Sequence, residues 1–252
     1  MTKTALIIGG NGKVSRALTP LLTGATPAWK VYSLIRNPDQ KSAVEALGAE
    51  PIVKSVEDAS VDELAATFHK CLPVDVVIWS AGAGGGDRSR TESVDHLGAI
   101  KVMDACAKEH IKRFIIVSAL DLRDRNLDPP SWYNDDDHQQ SEKVWSAIGP
   151  YMRAKFAADK ELVTGNDKRG LDYTIVRPGH LTDDGAKGTI SAGHVHLGTP
   201  IARADVAQTI LECIKNDGTI GMAFDVVGGE MAIKLAVEQV VAKGEDCFKG
   251  FY

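Results

Sequence analysis

The feature that most constrains this chain is a glycine-rich turn that joins its first strand to its first helix. Gly9-Gly10-Asn11-Gly12-Lys13-Val14-Ser15 directly follows a short apolar run at residues 5–8. Glycine lacks the Cβ that would obstruct a sharp turn or a close approach to the backbone. The helix that follows presents free N–H groups and the positive end of its dipole. The turn is therefore typical of a strand–helix junction that wraps an anion, although a purely structural turn is the alternative.

Apolar strand-like runs alternate with amphipathic helical patterns along the rest of the sequence. The runs lie at residues 31–35, 51–53, 74–79, 114–117, 173–176 and 223–227, and later helices are predicted around residues 151–163 and 206–214. Continuous apolar strands between helices are typical of a buried parallel sheet. The predicted fold class is therefore α/β, a doubly wound parallel sheet (Rossmann fold) with a small C-terminal substrate region. Without a composition break or long linker, residues 1–252 are predicted to form a single domain.

Residues 122–150 interrupt this alternation with Asp128-Pro129-Pro130 and the acidic stretch Asn134-Asp135-Asp136-Asp137. A loop of this length in a compact domain is usually functional or disordered. Trp132 and Tyr133 could pack over a ligand, or the segment could be a solvated surface insertion. We expect substrate specificity to lie in the loops 122–150 and 180–200.

The overall charge and the cysteines limit the classes of partner. The formal net charge of -5 argues against a broad nucleic-acid surface, which needs a basic face. No apolar run approaches the ~18 residues that a membrane span requires, and the first strand is too short for a signal-peptide core. Four scattered cysteines indicate reduced thiols inside a cell. We predict a cytoplasmic protein, with the nucleus as a second compartment, that binds a small-molecule substrate and neither nucleic acid nor membrane.

The end of the second strand discriminates between the two nicotinamide cofactors. NAD sites commonly place an acidic residue there to bind the ribose 2′-hydroxyl, whereas this chain places Arg36 there. A guanidinium can hold a 2′-phosphate with two charge-assisted bonds, and Lys13 could add charge nearby. The sequence therefore predicts NADP(H) in preference to NAD(H), with a solvated strand end as the alternative for Arg36.

These motifs together resemble the atypical short-chain dehydrogenase/reductases, specifically the NmrA-like branch of the NAD(P)-binding Rossmann family. The resemblance follows the family's order and spacing across nearly the whole chain. It is carried by residues 9–15, Ser80-Ala81-Gly82, residues 114–119, Tyr151-x-x-x-Lys155 and residues 170–179. Fungal members of uncharacterised function are especially similar, since they share Ser-Ala-Gly-Ala-Gly-Gly at residues 80–85 and Trp132-Tyr133-Asn134.

The resemblance implies catalytic roles for four residues. In the family, the tyrosine at the position of Tyr151 exchanges a proton with the substrate. The lysine at the position of Lys155, one turn further on, binds the nicotinamide ribose and lowers the tyrosine pKa. Ser118 matches the substrate-orienting serine only if the required register is not that of Ala119. Asp95 stands where the family usually has an asparagine of the proton relay. A tyrosine inherited without chemistry, a strand-end serine and a surface carboxylate are the alternatives.

The glycine turn and the resemblance together predict the cofactor contacts. They are Gly9, Asn11, Gly12, Lys13, Val14, Arg36, Ala81, Gly82, Lys155, Pro178 and Gly179. Ser15 replaces the third glycine of the motif, so we expect the first helix to sit slightly further out without losing binding. His180 could face the substrate pocket, whereas Arg203 is favoured as a charge at a helix start. His194 and His196 could share one face of a strand, but without an evident third ligand we predict no metal site.

Three functions are compatible with these predictions. The first is an NADP(H)-dependent oxidoreductase that reduces a small carbonyl, quinone or related substrate. The second is a non-catalytic NADP(H) redox sensor that reports cofactor state to a protein partner, motivated by Ala119 and Asp95. The third is a sugar-nucleotide epimerase or dehydratase, which ranks last because only about 70 residues follow Pro178, too few for a sizeable substrate domain.

Overall fold

The centre of the molecule is a twisted sheet whose strands run mostly parallel. The computed structural model describes residues 2–84 and 90–252, so Gly85 and Gly86 of the predicted glycine-rich stretch lie outside the described residues. The described strands are β1 (Thr4–Ile8), β2 (Lys30–Ile35), β3 (Glu50–Val53), β4 (Val76–Trp79), β5 (Arg113–Val117), β6 (Asp172–Pro178), β7 (Leu181–Thr182), β8 (Thr189–Gly193), β9 (Ile201–Ala202), β10 (Met222–Gly228) and β11 (Met231–Ala232).

Nine of the described strands form one sheet in the order β3-β2-β1-β4-β5-β6-β10-β8-β11. The pairings from β3 through β10 are all parallel, whereas β8 lies antiparallel to β10 and β11 antiparallel to β8. A separate parallel pair joins β7 to β9. The chain reverses its direction of winding between β1 and β4, and in open α/β sheets this switch point opens a ligand crevice at the carboxyl ends of the strands.

Helices cover both faces of the sheet because alternate strand residues point to opposite sides. The described helices are α1 (Lys13–Thr23), α2 (Lys41–Glu45), α3 (Val61–His69), α4 (Ala99–Lys108), α5 (Asp135–Thr164), α6 (Asn166–Arg169), α7 (Arg203–Lys215) and α8 (Ile233–Lys243), with a π-helical segment at Glu92–Gly98. Leu6 and Ile8 join a core with α3, α4 and α5, whereas Ala5 and Ile7 join a core with α1, α7 and α8. The predicted doubly wound fold is confirmed.

The predicted insertion at residues 122–150 is wrong from Asp135 onward, because α5 begins there. The Asn134 side chain accepts a hydrogen bond from the Asp137 N–H at 2.9 Å, and the Asp137 carboxylate accepts one from the Asn134 N–H at 2.9 Å. This capping box leaves the acidic residues in the first turn, where they favour the helix dipole. The helix is kinked at Ile148 ahead of Pro150, which lacks an N–H. The helix predicted to start at residue 151 therefore begins at Asp135, and residue 151 lies just after the kink.

The Trp132 and Tyr133 rings pack within the protein, so they are not a solvated part of the segment. The Trp132 ring stacks on His194 with centroids 3.7 Å apart and meets the edge of Phe251. The Tyr133 hydroxyl is buried and donates a hydrogen bond to Asp121 at 3.2 Å. The two aromatics join the segment to the loop after β8 and to the end of the chain.

The last predicted strand, at residues 223–227, is not the last element of the fold. After β10 the chain adds β11 and α8, and α8 buries Ile233, Ala236, Val237 and Val240 against the sheet. Strands β7, β8, β9 and β11 have two to five residues each, too short to give a clear period in the sequence. Among the described residues, no helix is both long and apolar enough to cross a membrane.

Candidate functional site

The glycine turn lies flat against the two strands that flank β1. Gly9 has φ +82°, and a Cβ on it would lie 2.6 Å from the Ala81 Cα. A Cβ on Gly10, which the sequence motif did not assign to the site, would lie 2.3 Å from the Ser33 Cβ. The N–H groups of Gly9 and Gly10 both donate to the Leu34 carbonyl at 3.0 Å. Only glycine fits at these two positions, because any side chain would push the turn off the sheet.

The N-terminus of α1 opens onto the space beside this turn. Gly12 is the residue before the helix, and no side chain caps the first N–H groups there. These groups have no partner within the helix, so they are available to an anion. Ser15, in the place of the third glycine, is fully buried, and its hydroxyl donates to the Gly9 carbonyl at 2.9 Å. The serine thus ties the first turn of α1 to the glycine turn.

A cavity of about 230 Å³ adjoins the turn and contains six of the predicted cofactor contacts. They are Gly9, Asn11, Gly12, Arg36, Ala81 and Gly82. The Asn11 Oδ1 atom is buried and has no hydrogen-bond partner among the described residues. A buried acceptor without a donor is costly, and a ribose hydroxyl would satisfy it. The glycine walls, the uncapped helix and this acceptor fit the adenosine diphosphate half of a dinucleotide.

Two predicted cofactor contacts have other positions. The Val14 side chain is buried in the core between α1 and the sheet, because its position in the first turn of α1 faces inwards. Its backbone N–H remains in the uncapped turn. The Lys13 ammonium pairs with Asp183, a residue of the loop after β7, and neither lysine nor valine lines the cavity. Their predicted side-chain contacts with the cofactor are therefore not part of this geometry.

Arg36 lies at the far end of the same cavity, beside an acidic residue that the sequence analysis missed. Its side chain is 57% exposed, and its Nη1 atom is 3.3 Å from the Glu57 Oε2. Glu57 also accepts hydrogen bonds from the Arg90 Nε at 2.9 Å and the Ser93 hydroxyl at 3.0 Å. The Arg90 bond lowers the pKa of Glu57 against the opposing effect of burial, and the Ser93 and Arg36 bonds add to it. The carboxylate in this cavity is therefore already paired with guanidinium groups.

Three ionisable residues lie on one face of α5, each four positions from the next: Tyr151, Lys155 and Asp159. Lys155 is buried, and its Nζ atom donates to the Val117 carbonyl at 3.1 Å. The Asp95 Oδ1 lies 3.4 Å from the same Nζ atom, close enough for an ion pair but not aligned as a hydrogen bond. Asp95 itself is fully buried on the π-helical segment, where its Oδ2 accepts the Ala83 N–H at 3.0 Å.

Burial and charge act in opposite directions on this group. Burial raises the pKa of Tyr151, against the positive charge of Lys155, which lowers it. The nearby carboxylates of Asp95 and Asp159 raise it further. Burial alone would lower the pKa of Lys155, but Tyr151, Asp95 and Asp159 raise it overall. The tyrosine is therefore held in its protonated form and the lysine in its charged form near neutral pH.

The Ser118 hydroxyl has a protein partner, whereas the resemblance predicted that it orients the substrate. The hydroxyl donates to the Asp159 Oδ2 at 2.5 Å, and both residues are buried. Burial raises the pKa of Asp159 to about 6, against the Ser118 hydrogen bond and the charges of Arg177 and Lys155. Ser118 and the following residue, Ala119, both line the neighbouring cavity, and the one hydroxyl of this pair is engaged by Asp159. The serine and Asp159, which the sequence analysis missed, thus form a pair beneath the site.

A second cavity, of about 320 Å³, lies on the substrate side of Tyr151. Pro178, Gly179 and His180 line it after β6, and both predicted substrate segments contribute to its walls. Their contributions are Gln140, Ser141, Val144, Ile148, Leu181, Leu197 and Gly198. Tyr151 also lines a third cavity, of about 270 Å³, together with Asp95 and Ala83. Since Ala83 also lines the cavity beside the glycine turn, the phenol stands between the cofactor side and the substrate side.

The other two histidines singled out in the sequence, His194 and His196, have partners within the protein. The His194 ring stacks on Trp132, and the His196 Nδ1 lies 2.7 Å from the Asp137 Oδ2. Within residues 2–84 and 90–252, no group of three His, Cys, Asp or Glu side chains could hold a metal ion. These two contacts hold the loop after β8 against Trp132 and the start of α5.

Comparisons with known proteins agree with this geometry. A family model described as NAD(P)H-binding matches residues 9–217. A UPF0659 protein of Schizosaccharomyces pombe is 36% identical over 96% of this chain and 97% of its own length. A Bacillus subtilis protein, the uncharacterized sugar epimerase YhfK, is 34% identical over 93% of this chain and 98% of its own length. The predicted similarity to fungal proteins is confirmed.

Solved structures share the fold. The oxidoreductase ylbE from Lactococcus lactis has a TM-score of 0.77 and 28% identity, covering 95% of this chain and 97% of its own. ChuY from Escherichia coli O157:H7, named an anaerobillin reductase, has a TM-score of 0.69 and 25% identity, covering 91% and 98%. The relatives and the structures are thus matched over nearly their whole length.

Proposed function

The chain belongs to the NAD(P)H-binding family, and on that premise we propose that it is an NADP(H)-dependent oxidoreductase that reduces a small carbonyl or quinone substrate. The observation that carries the proposal is the position of the Tyr151 phenol. It lines both the substrate-side cavity and the cavity that leads to the glycine turn, above a buried Lys155. A proton donor at this place can serve an oxygen atom held in the apolar cavity.

The bound nicotinamide would supply the hydride. Tyr151 would supply the proton, since burial keeps the phenol protonated near neutral pH. Lys155 would favour release of that proton, because its charge stabilises the phenolate. Asp95 and the Val117 carbonyl would hold the lysine ammonium in place. Asp95 would thus act on Lys155 as a positioning residue, in the place where related enzymes usually have an asparagine.

The preference for NADP(H) is proposed from Arg36. Its guanidinium stands at the end of β2 on the rim of the cofactor cavity, where a carboxylate would repel a 2′-phosphate. Glu57 lies within reach but is held by Arg90 and Ser93, so Arg36 can turn to a phosphate without leaving this carboxylate alone. Lys54 and Gln40 line the same end and add polar hydrogen-bond donors.

The test is an NADPH-oxidation screen across quinones, aldehydes, ketones and flavins, followed by Tyr151→Phe on the best substrate. We expect Tyr151→Phe to lower turnover by about 100-fold or more, the usual contribution of a positioned general acid. NADPH affinity should stay unchanged. Tyr173→Phe, on β6 and partly exposed, is the matched control and should retain activity. Tight NADPH binding without turnover of any substrate would contradict the proposal.

A second candidate function is an NADP(H) redox sensor without turnover. It is favoured by one observation: the Ser118 hydroxyl borders the substrate cavity but donates to Asp159, and Ala119 beside it has no hydroxyl. A sensor would bind a protein partner with different affinity in the presence of NADP and NADPH, and indifference to cofactor state would exclude it. The name of the B. subtilis relative suggests a sugar epimerase, a third candidate that no single contact of the described cavity favours over the oxidoreductase.

A further inference from the structure

Two charged side chains are found among the described walls of the substrate-side cavity, Asp121 and Arg203. The Asp121 carboxylate is buried and fully engaged. It accepts hydrogen bonds from the Tyr133 hydroxyl at 3.2 Å, the Trp145 Nε1 at 3.1 Å and the Arg123 Nε at 3.3 Å. Its charge is therefore compensated by Arg123, and the charge that the cavity can offer to a ligand is that of Arg203.

Arg203 is the first residue of α7, and its side chain is 25% exposed. Its Nη1 atom donates to the Asp183 Oδ1 at 2.6 Å. Asp183 does not line the cavity, is 60% exposed, and also pairs with Lys13 of the glycine turn. A guanidinium has five N–H donors in a planar fork, so one bond to a solvated carboxylate leaves most of its capacity available.

The rest of the cavity wall is mainly apolar. Leu120, Val144, Met152, Leu181 and Leu197 line it, together with the aromatic ring of Tyr151. A guanidinium at the rim of such a cavity is stable when a carboxylate pairs with it in the bidentate geometry that arginine favours. A ligand that combines an apolar body with one carboxylate matches both parts of this surface.

We propose that Arg203 binds the carboxylate of an anionic substrate, so that the substrates are apolar carbonyl compounds that carry a carboxylate group. This inference rests on the proposed function, because it places the carbonyl at Tyr151 and the carboxylate at Arg203. Asp183 occupies the guanidinium in the free protein and gives it up to the substrate. His180, exposed on the same rim, lines the cavity beside it.

The test compares an acid with its ester, 4-carboxybenzaldehyde with methyl 4-formylbenzoate, in NADPH-oxidation assays. Arg203→Met should lower the ratio of kcat/KM for the acid over the ester by about tenfold or more, the usual loss for a charged hydrogen bond. Asp183→Asn should raise the same ratio, because it removes the competing carboxylate. If Arg203 only tethers the loop through Asp183, the two variants will change the ratio in the same direction, and the proposal is overturned.

A binding measurement separates this inference from the oxidoreductase proposal. Calorimetry with 4-methylbenzoate, which cannot be reduced, is performed on the NADP complex of the wild type and of Arg203→Met. Binding that Arg203→Met weakens about tenfold supports the anion site even if no aldehyde is turned over. Absence of 4-methylbenzoate binding to the wild type overturns the anion site, even if the neutral ester is reduced.

Discussion

The cofactor side and the substrate side of the cleft are built from different kinds of chemical group. On the cofactor side, the walls next to the glycine turn come from glycines, backbone N–H groups and the start of α1, and the charged side chains Arg36 and Glu57 stand at the far end. On the substrate side, buried charges lie beneath the cavity: Asp95, Lys155, Asp159, Arg177 and Asp225. The first set is made by local backbone geometry, whereas the second is brought together from four separate elements.

The difference has an energetic side. Backbone N–H groups at a helix terminus are polar without carrying a full charge, so they cost little to leave facing a cavity. Buried carboxylates are expensive, and burial raises the pKa of Asp225 to about 7 even though Arg177 lies 3.0 Å away. The raised pKa values of Asp159 and Asp225 imply a stability cost as the pH rises to neutral, whereas the backbone groups of the glycine turn do not titrate. Three predictions follow this contrast from the largest expected effect to the smallest.

Asp159→Asn should make the protein more stable at neutral pH relative to the wild type. Burial raises the pKa of Asp159 to about 6, so the folded protein holds this proton more tightly than an unfolded chain. The wild type therefore loses stability relative to the variant as pH rises from about 4 to 6, and the difference stays constant above that. A shift of this size corresponds to about 3 kcal/mol. Denaturant unfolding of both proteins between pH 4 and 8 measures it.

The matched control is Asp167→Asn, because Asp167 is exposed between α5 and β6. Its unfolding free energy should follow the wild type across the same range. A difference between Asp159→Asn and the wild type that does not vary with pH would show that the Asp159 carboxylate titrates alike in the folded and unfolded chain. The contrast between the two sides of the cleft would then lose its energetic basis.

Gly9→Ala tests the backbone side. The added Cβ would lie 2.6 Å from the Ala81 Cα at a residue with φ +82°, so the turn must move. We expect NADPH affinity to fall by about 30-fold, equivalent to an overpacking cost of about 2 kcal/mol. Gly221→Ala is the control, since Gly221 has φ +79° with open space around it. It should lose stability for the same backbone reason and keep its NADPH affinity; equal losses of affinity in both variants would contradict the prediction.

Arg36→Glu should have the smallest effect, because the guanidinium is exposed. We expect about fivefold weaker NADPH binding, close to 1 kcal/mol for a solvated ion pair, with NADH binding unchanged or improved. Parallel titrations of both cofactors against both proteins measure the preference. Equal NADPH affinity in wild type and Arg36→Glu would remove Arg36 from the 2′-phosphate site.

The sequence predicted the parts of this molecule that local chemistry determines. The glycine turn, the main parallel strands and the position of Arg36 were readable because each depends on a few adjacent residues and a clear period. The start of α5 was not predicted although Asn134 and Asp137 form a capping signal, since the acidic stretch was interpreted as part of a loop, either functional or solvated. The four hydrophobic positions of α8 were also present in the sequence and were overlooked. The single-domain and cytoplasmic predictions stay predictions.

The side-chain contacts on both sides of the cleft resisted prediction because their partners are distant in sequence. Nothing near Ser118 indicates that its hydroxyl bonds to Asp159, 41 positions further on. Lys13 looked like a cofactor contact, yet its ammonium pairs with Asp183, 170 positions away. The four-residue spacing from Lys155 to Asp159 was the one available signal, since it places both on the same helix face. Glu57 had no such signal, because its partners Arg90 and Ser93 come from another element.

Two long-range contacts of Arg177 affect how this protein folds during its synthesis. Arg177 donates to the Cys247 carbonyl at 2.6 Å, 70 positions later in the sequence, and its guanidinium lies 5.4 Å from the centre of the Phe248 ring. Ribosomes release the N-terminal part of a chain first, and domains fold as it emerges. Strand β6 therefore leaves the exit tunnel before Cys247 and Phe248, two of the contacts of Arg177, have been synthesised. During translation the Arg177 guanidinium therefore lacks these two contacts until residues 247 and 248 have emerged.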